Sequence, residues 1–135
     1  MRGVYVLVVA VERPVKIRVG SLGIVGFAAG TYAYVGSARG PGGIEARVRR
    51  HFRRKKKLHW HIDHLLSHPE VRIERVYVRE TEGPVECAVA KALARVCNKV
   101  IPGFGSSDCR CPGHLLRCDP SSLEATLSKL GFKVV

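Results

Sequence analysis

The chain has 135 residues, 46% hydrophobic and 25% charged, a size and composition that fit one domain spanning 1–135 with a buried core. No run approaches the roughly 18 apolar residues of a membrane span, and the opening segment lacks the basic region and small-residue cleavage site of a secretion signal, so the expectation is a cytoplasmic protein with no membrane role. Net charge is +12 and the pI is near 10.0, which directs attention to a polyanionic partner.

Gly3 to Val11 is rich in β-branched and aromatic residues and reads as a buried strand. Beyond Pro14, Val15, Ile17 and Val19 alternate with Lys16 and Arg18, as in a half-exposed strand. Ile24–Phe27 and Thr31–Gly36 are two further short strands, separated by glycines at 20, 23, 26 and 30. The opening third therefore reads as an antiparallel meander. Gly40-Pro41-Gly42-Gly43 breaks the pattern. Ile44, Val48 and Phe52 then recur every four residues among arginines, the mark of a basic amphipathic helix. A second, short helix is expected over Leu58–Leu66, with Trp60, Ile62 and Leu65 as its apolar set. A strand follows over Val71–Val78 and a helix over Val85–Val96.

Residues Ile101 to Cys118 read as loop. Asp119-Pro120 opens a last helix with an N-capping acid and a proline in its first turn. Leu123, Leu127 and Leu130 line its apolar face, and Gly131 ends it before a closing strand at Phe132–Val135. The fold class is α+β: a small mixed or antiparallel sheet flanked by three to four helices.

The positive charge has an address. From Arg39 to Lys57 there are nine basic residues and one acid, Glu45, so this segment carries +8 of the total. Such concentration suits a phosphate-binding face built from Arg39, Arg49, Arg50, Arg53, Arg54, Lys55, Lys56 and Lys57. Phosphodiester hydrolysis needs a group to activate water, a cation beside the equatorial oxygens and a metal held by carboxylate. The residue types that meet these needs are a strand tyrosine (Tyr5 or Tyr34), a helix arginine (Arg47, with Arg50 as its rival one turn on) and a helix-start glutamate, Glu86. Each alone has a plainer reading, as a core aromatic, a surface cation or an acid favoured by the helix dipole.

His59, Trp60, His61, Asp63, His64 and His68 form a dense cluster. His61 and His64 share a helix face, but a helix packed on the sheet accounts for them better than metal does. Cys109-x-Cys111-x-x-His114-x-x-x-Cys118 carries zinc-ligand atoms at a spacing too tight for a standard finger. Packed or disulfide-bonded cysteines, a Cys87–Cys97 bridge among them, are the favoured alternative to structural zinc. Five cysteines without a secretion signal point to a reducing compartment. The lack of Gln and the single Asn98 suggest a thermophile, whose cytosol tolerates disulfides.

Together these residues resemble a known pattern. Gly3-Val4-Tyr5 and Tyr34-Val35-Gly36 resemble the two signature elements of the GIY-YIG nuclease superfamily. Arg47 and His51 resemble its helix arginine and following histidine, and Glu86 its metal-binding glutamate. The chain is most similar to the DUF123 branch, through Gly36-Ser37-Ala38, His59-Trp60-His61-Ile62-Asp63 and Gly103-Phe104-Gly105-Ser106-Ser107-Asp108-Cys109 with Cys111 and His114. The likeness covers nearly the whole chain.

The resemblance implies a metal-dependent endonuclease with Tyr5 activating water and Tyr34 lining the same pocket. Arg47 would stabilise the phosphate, His51 would assist, and Glu86 would hold Mg²⁺ or Mn²⁺. His61 and Asp63 would lie at the edge of the cleft. It implies DNA in preference to RNA and a DNA-repair partner, since the branch also occurs fused to endonuclease III-type enzymes. It also implies that residues 12–30 are an inserted hairpin enlarging the sheet. The alternatives are a nucleic-acid-binding module without catalysis and a zinc-stabilised interaction domain.

Overall fold

A computed structural model describes residues 1–106 and 109–135; Ser107 and Asp108 of the loop motif lie outside the described residues. The fold is α+β. A six-stranded sheet has β1 (Gly3–Val11) at its centre, with β4 (Gly30–Ala38) and β5 (Val71–Glu80) antiparallel on either side. Beyond β4 lie β7 (Leu115–Arg117) and β6 (Lys99–Val100), and beyond β5 lies β8 (Lys133–Val134). Every pairing is antiparallel.

All nine residues of β1 are buried because helices cover both faces of the sheet. Tyr5, Leu7, Val9 and Val11 face one core, with Ile44 of α1 (Gly43–Phe52) and Ile62, Leu65 and Leu66 of α2 (His61–Leu66). Val4, Val6 and Val8 face the other, with Val89, Ala90 and Leu93 of α3 (Glu86–Ala94) and Leu123 and Leu127 of α4 (Pro120–Lys129). The two-residue period of the strand divides a continuous apolar run between two cores.

Two expectations need correction. β2 (Val15–Arg18) and β3 (Ile24–Phe27) do form a hairpin, but as a separate two-stranded sheet. The opening third is therefore no meander, and the hairpin does not enlarge the main sheet. Both edges of β1 are already taken, by β4 and β5, so the hairpin folds over one face instead. There Phe27 packs edge-on against Tyr32 and Phe104. The stretch read as loop from Ile101 to Cys118 contains β7, whose three residues pair with Tyr32–Tyr34 of β4. A strand that short has no periodicity of its own to read; the β4 edge creates it.

Helix α2 starts at His61, later than Leu58. The Asp63 carboxylate accepts hydrogen bonds from the backbone N–H groups of His59 and Trp60 (2.9 and 2.8 Å) and holds both outside the helix. The last helix agrees with its sequence signals: Asp119 accepts from the Ser122 N–H at 3.1 Å, Pro120 opens the first turn, and Gly131 follows the end at φ +83°. Among the described residues no helix is long and apolar enough to cross a membrane.

Candidate active site

One cleft of ≈ 180 Å³ gathers four of the five residues given catalytic roles above, Tyr5, Tyr34, Arg47 and Glu86. Its walls include Tyr5, Tyr34, Arg47, Trp60, Glu86 and His114, contributed by β1, β4, α1, the start of α2, α3 and the loop before β7. Tyr5 and Gly36 are partners across the β1–β4 ladder, and the Tyr5 ring lies over that glycine. Any side chain at position 36 would run into the ring, so the glycine that ends Tyr34-Val35-Gly36 is what seats Tyr5.

The Tyr5 hydroxyl is 2.7 Å from His51 Nε2, and this contact is fully buried. Burial, then the neighbouring Tyr34, pushes the Tyr5 phenol well above its ordinary range, against the opposing pull of Arg47. Burial likewise pushes Tyr34 up to about 12. His51 moves the other way: burial, with Lys56 next, lowers it to about 4, so its ring is neutral near pH 7. Its Nδ1 is buried without a hydrogen-bond partner.

The structure separates Arg47 from Arg50. Arg50 donates to both oxygens of the fully buried Asp63, at 2.8 and 2.9 Å, and to the Lys57 carbonyl. This forked pair holds the Asp63 carboxyl below its usual range despite burial, which acts in the opposite direction. Asp63 is thus a joint between α1 and α2 and has no oxygen to spare. Arg47 has no such anchor. Its guanidinium lies 4.5 Å from the centre of the Trp60 ring and forms part of the cleft wall. Arg50 lies over the same ring at 4.3 Å, so Trp60 positions both. Trp60 was read as an apolar helix residue; its place beside two arginines depends on how α2 docks.

The basic segment divides in the same way. Arg39 donates to the carbonyls of Thr81, Glu82 and Gly83. Arg54 donates to those of Leu66, His68 and Val71. Lys56 donates to those of Arg50 and His51. These side chains tie the protein to itself. Arg49, Arg53, Lys55 and Lys57 are exposed.

Glu86 lies in the first turn of α3 and reaches the cleft, where its Oε2 is buried without a hydrogen-bond partner. A buried carboxylate oxygen left unpaired is costly, and a bound cation is one way to satisfy it. His61 does not line the cleft; its Nδ1 accepts from the N–H of the wall residue Gly105 at 2.9 Å. Gly105, at φ +71°, sits closely against Tyr34 and His114, so the loop motif forms one wall.

The cysteines regroup. Cys118 pairs with Cys97 in a disulfide, Cα atoms 4.3 Å apart, and so is not available as a fourth ligand beside Cys109, Cys111 and His114. Cys87 pairs with neither Cys97 nor Cys118; in the structure it is paired with Cys111 as a disulfide, which leaves Cys109 as the free cysteine. Cys87, Cys109, Cys111 and His114 bring their ligand atoms within 4.8 Å of one another, a cluster able to hold a metal. The spacing argument assumed an extended segment, which would aim Cys109 and Cys111 apart. Residues 109–112 bend instead, and both turn to one side.

No curated protein and no solved structure matches the chain. A family model described as "Domain of unknown function DUF123" matches residues 4–134, from β1 to the last strand and across every wall of the cleft. The chain therefore belongs to the DUF123 family.

Proposed function

We propose that this DUF123 domain is a GIY-YIG-type endonuclease that hydrolyses nucleic-acid phosphodiesters with the help of a divalent cation. The observation that carries the reading is the convergence of Tyr5, Arg47 and Glu86, from three separate elements, on one cleft next to an exposed basic helix. The Tyr5 hydroxyl has a proton acceptor at hand in His51 Nε2. It can therefore take a proton from the attacking water as it gives up its own. The water oxygen bonds to phosphorus, the bond to the leaving oxygen breaks, and solvent supplies that oxygen with a proton. Because burial disfavours both the phenolate and the imidazolium, charge separation waits for the incoming phosphate. The Arg47 guanidinium neutralises the non-bridging oxygens in a two-pronged geometry.

The unpaired Glu86 oxygen fits a hard divalent cation, Mg²⁺ or Mn²⁺, which favours one or two carboxylates together with substrate oxygens. When bound, the cation polarises the phosphate. The family resemblance supports DNA over RNA as substrate and action beside DNA-repair enzymes.

The test is cleavage of labelled duplex, flap and four-way-junction DNA, and of matching RNA, with and without Mg²⁺ or Mn²⁺. Tyr5→Phe, Arg47→Ala and Glu86→Gln run beside the unaltered chain, each checked for folding by circular dichroism. Metal-dependent cutting lost in all three supports the proposal. Salt-sensitive binding without cutting on every substrate overturns it in favour of a nucleic-acid-binding module.

A further inference from the structure

We infer that Cys87, Cys109, Cys111 and His114 form a structural zinc site that clamps the β6–β7 loop to the first turn of α3. This does not depend on the chain being a nuclease. The four residues come from two distant parts of the sequence, yet their ligand atoms lie within 4.8 Å of one another. His114 Nε2 is 3.5 Å from the sulfurs of both Cys87 and Cys109. Tetrahedral zinc, with Zn–S near ~2.3 Å and Zn–N near ~2.0–2.1 Å, sets a sulfur and a nitrogen ligand about 3.5 Å apart.

A Cys87–Cys111 disulfide would use two of these four groups. It would leave Cys109 and His114 converging on the same point without a task, whereas a metal engages all four. The backbone aims the histidine: its N–H donates to the Phe104 carbonyl, and its own carbonyl accepts from the Val35 N–H in β4. His114 and Cys111 are buried, while Cys87 and Cys109 are partly exposed.

Ligand chemistry selects the ion. Three soft sulfurs and one imidazole favour zinc over magnesium. Four protein ligands leave no open position, so the site is structural and not catalytic. The need for a clamp is visible too. Among the described residues of 101–114 there is no helix or strand, and a connection of that length needs something to hold it. The clamp also fixes the cleft, because Cys109 and His114 form part of its wall and Cys87 is the neighbour of Glu86.

The experiment isolates the chain under reducing conditions, strips metal with chelator in denaturant, and refolds it with Zn²⁺, Mg²⁺ or no metal. Metal content, melting temperature and thiols titrated after denaturation are then measured. Expected are one zinc per chain and a melting temperature higher by on the order of 10 °C with Zn²⁺ but not with Mg²⁺. Also expected are Cys87, Cys109 and Cys111 all free once zinc is removed, and Co²⁺ giving the visible bands of a tetrahedral thiolate centre. Cys109→Ser should lose both stoichiometric zinc and those bands. Refolded, reduced chain that binds no zinc overturns the inference. So does a Cys87–Cys111 disulfide mapped in freshly isolated chain, or undiminished zinc affinity in Cys109→Ser. None of these readouts involves cleavage, so the outcome is independent of the nuclease reading.

Discussion

On the α1–α2 side of the cleft the charged pair and the tyrosine have partners within the protein, although His51 Nδ1 is buried without one and Arg47 is held only over the Trp60 ring. Arg50 and Asp63 are paired through two hydrogen bonds, Asp63 also caps the start of α2, and Tyr5 is bonded to His51. On the α3 side a carboxylate oxygen is buried unpaired, and three sulfurs and an imidazole crowd around one point. The Arg50–Asp63 pair of the first wall folds complete from its own atoms. In the second, the cations proposed above would satisfy what the protein's own atoms leave open.

The sharpest way to break this contrast is to remove one carboxylate from each wall. Glu86→Gln should reduce cleavage by roughly 10²–10³-fold without lowering the melting temperature measured in metal-free buffer, because Oε2 has no partner to lose. Asp63→Ala should cost about 3–5 kcal/mol in urea unfolding, since it strands the Arg50 charge and frees two backbone donors. If the two variants exchange these behaviours, the walls have been assigned the wrong roles.

A smaller effect comes from His51. Its folded pKa of about 4 lies below the unfolded value near 6.5, so the fold favours the neutral ring. The stability this adds is complete above about pH 6.5 and is lost as pH falls toward 4, because the unfolded chain then binds the extra proton. The loss amounts to about 3 kcal/mol. Denaturant titrations at pH 7, 5.5 and 4 should show it in the unaltered chain, while His51→Asn should lack this component. Equal pH dependence in both would mean that the ring is not held neutral.

The smallest expected effect separates exposed cations from structural ones. Arg49→Ala with Arg53→Ala should weaken DNA binding roughly tenfold and flatten its salt dependence by about two ions, with stability unchanged. Arg54→Ala should instead cost about 1–2 kcal/mol of stability, because three backbone carbonyls lose their donor. Fluorescence anisotropy across a salt series, beside thermal melts, distinguishes the two. Loss of binding in Arg54→Ala at full stability would contradict the division.

The sequence by itself determined the elements whose signals are local. The central strand is legible because its apolar run is long, α1 because its apolar residues recur every four positions, and α4 because Asp119, Pro120 and Gly131 mark its ends. Tyr5, Tyr34, Arg47, His51 and Glu86 were legible as one pocket through motif likeness; the structure lines one cleft with four of them and sets His51 against Tyr5. Only the tertiary structure decided between Arg47 and Arg50. One turn apart on the same helix, they look alike until Asp63 arrives from α2 and claims one of them.

The same holds for the cysteines. Spacing grouped Cys118 with Cys109 and Cys111, and the fold gave Cys118 to Cys97 and brought in Cys87 from another helix. It holds for β7 and for the hairpin, whose places depend on which edges of β4 and β1 are free. Helix periods and caps are written in neighbouring residues. Ion-pair partners, ligand sets and strand edges are contacts between residues far apart in sequence, and only the assembled chain specifies them.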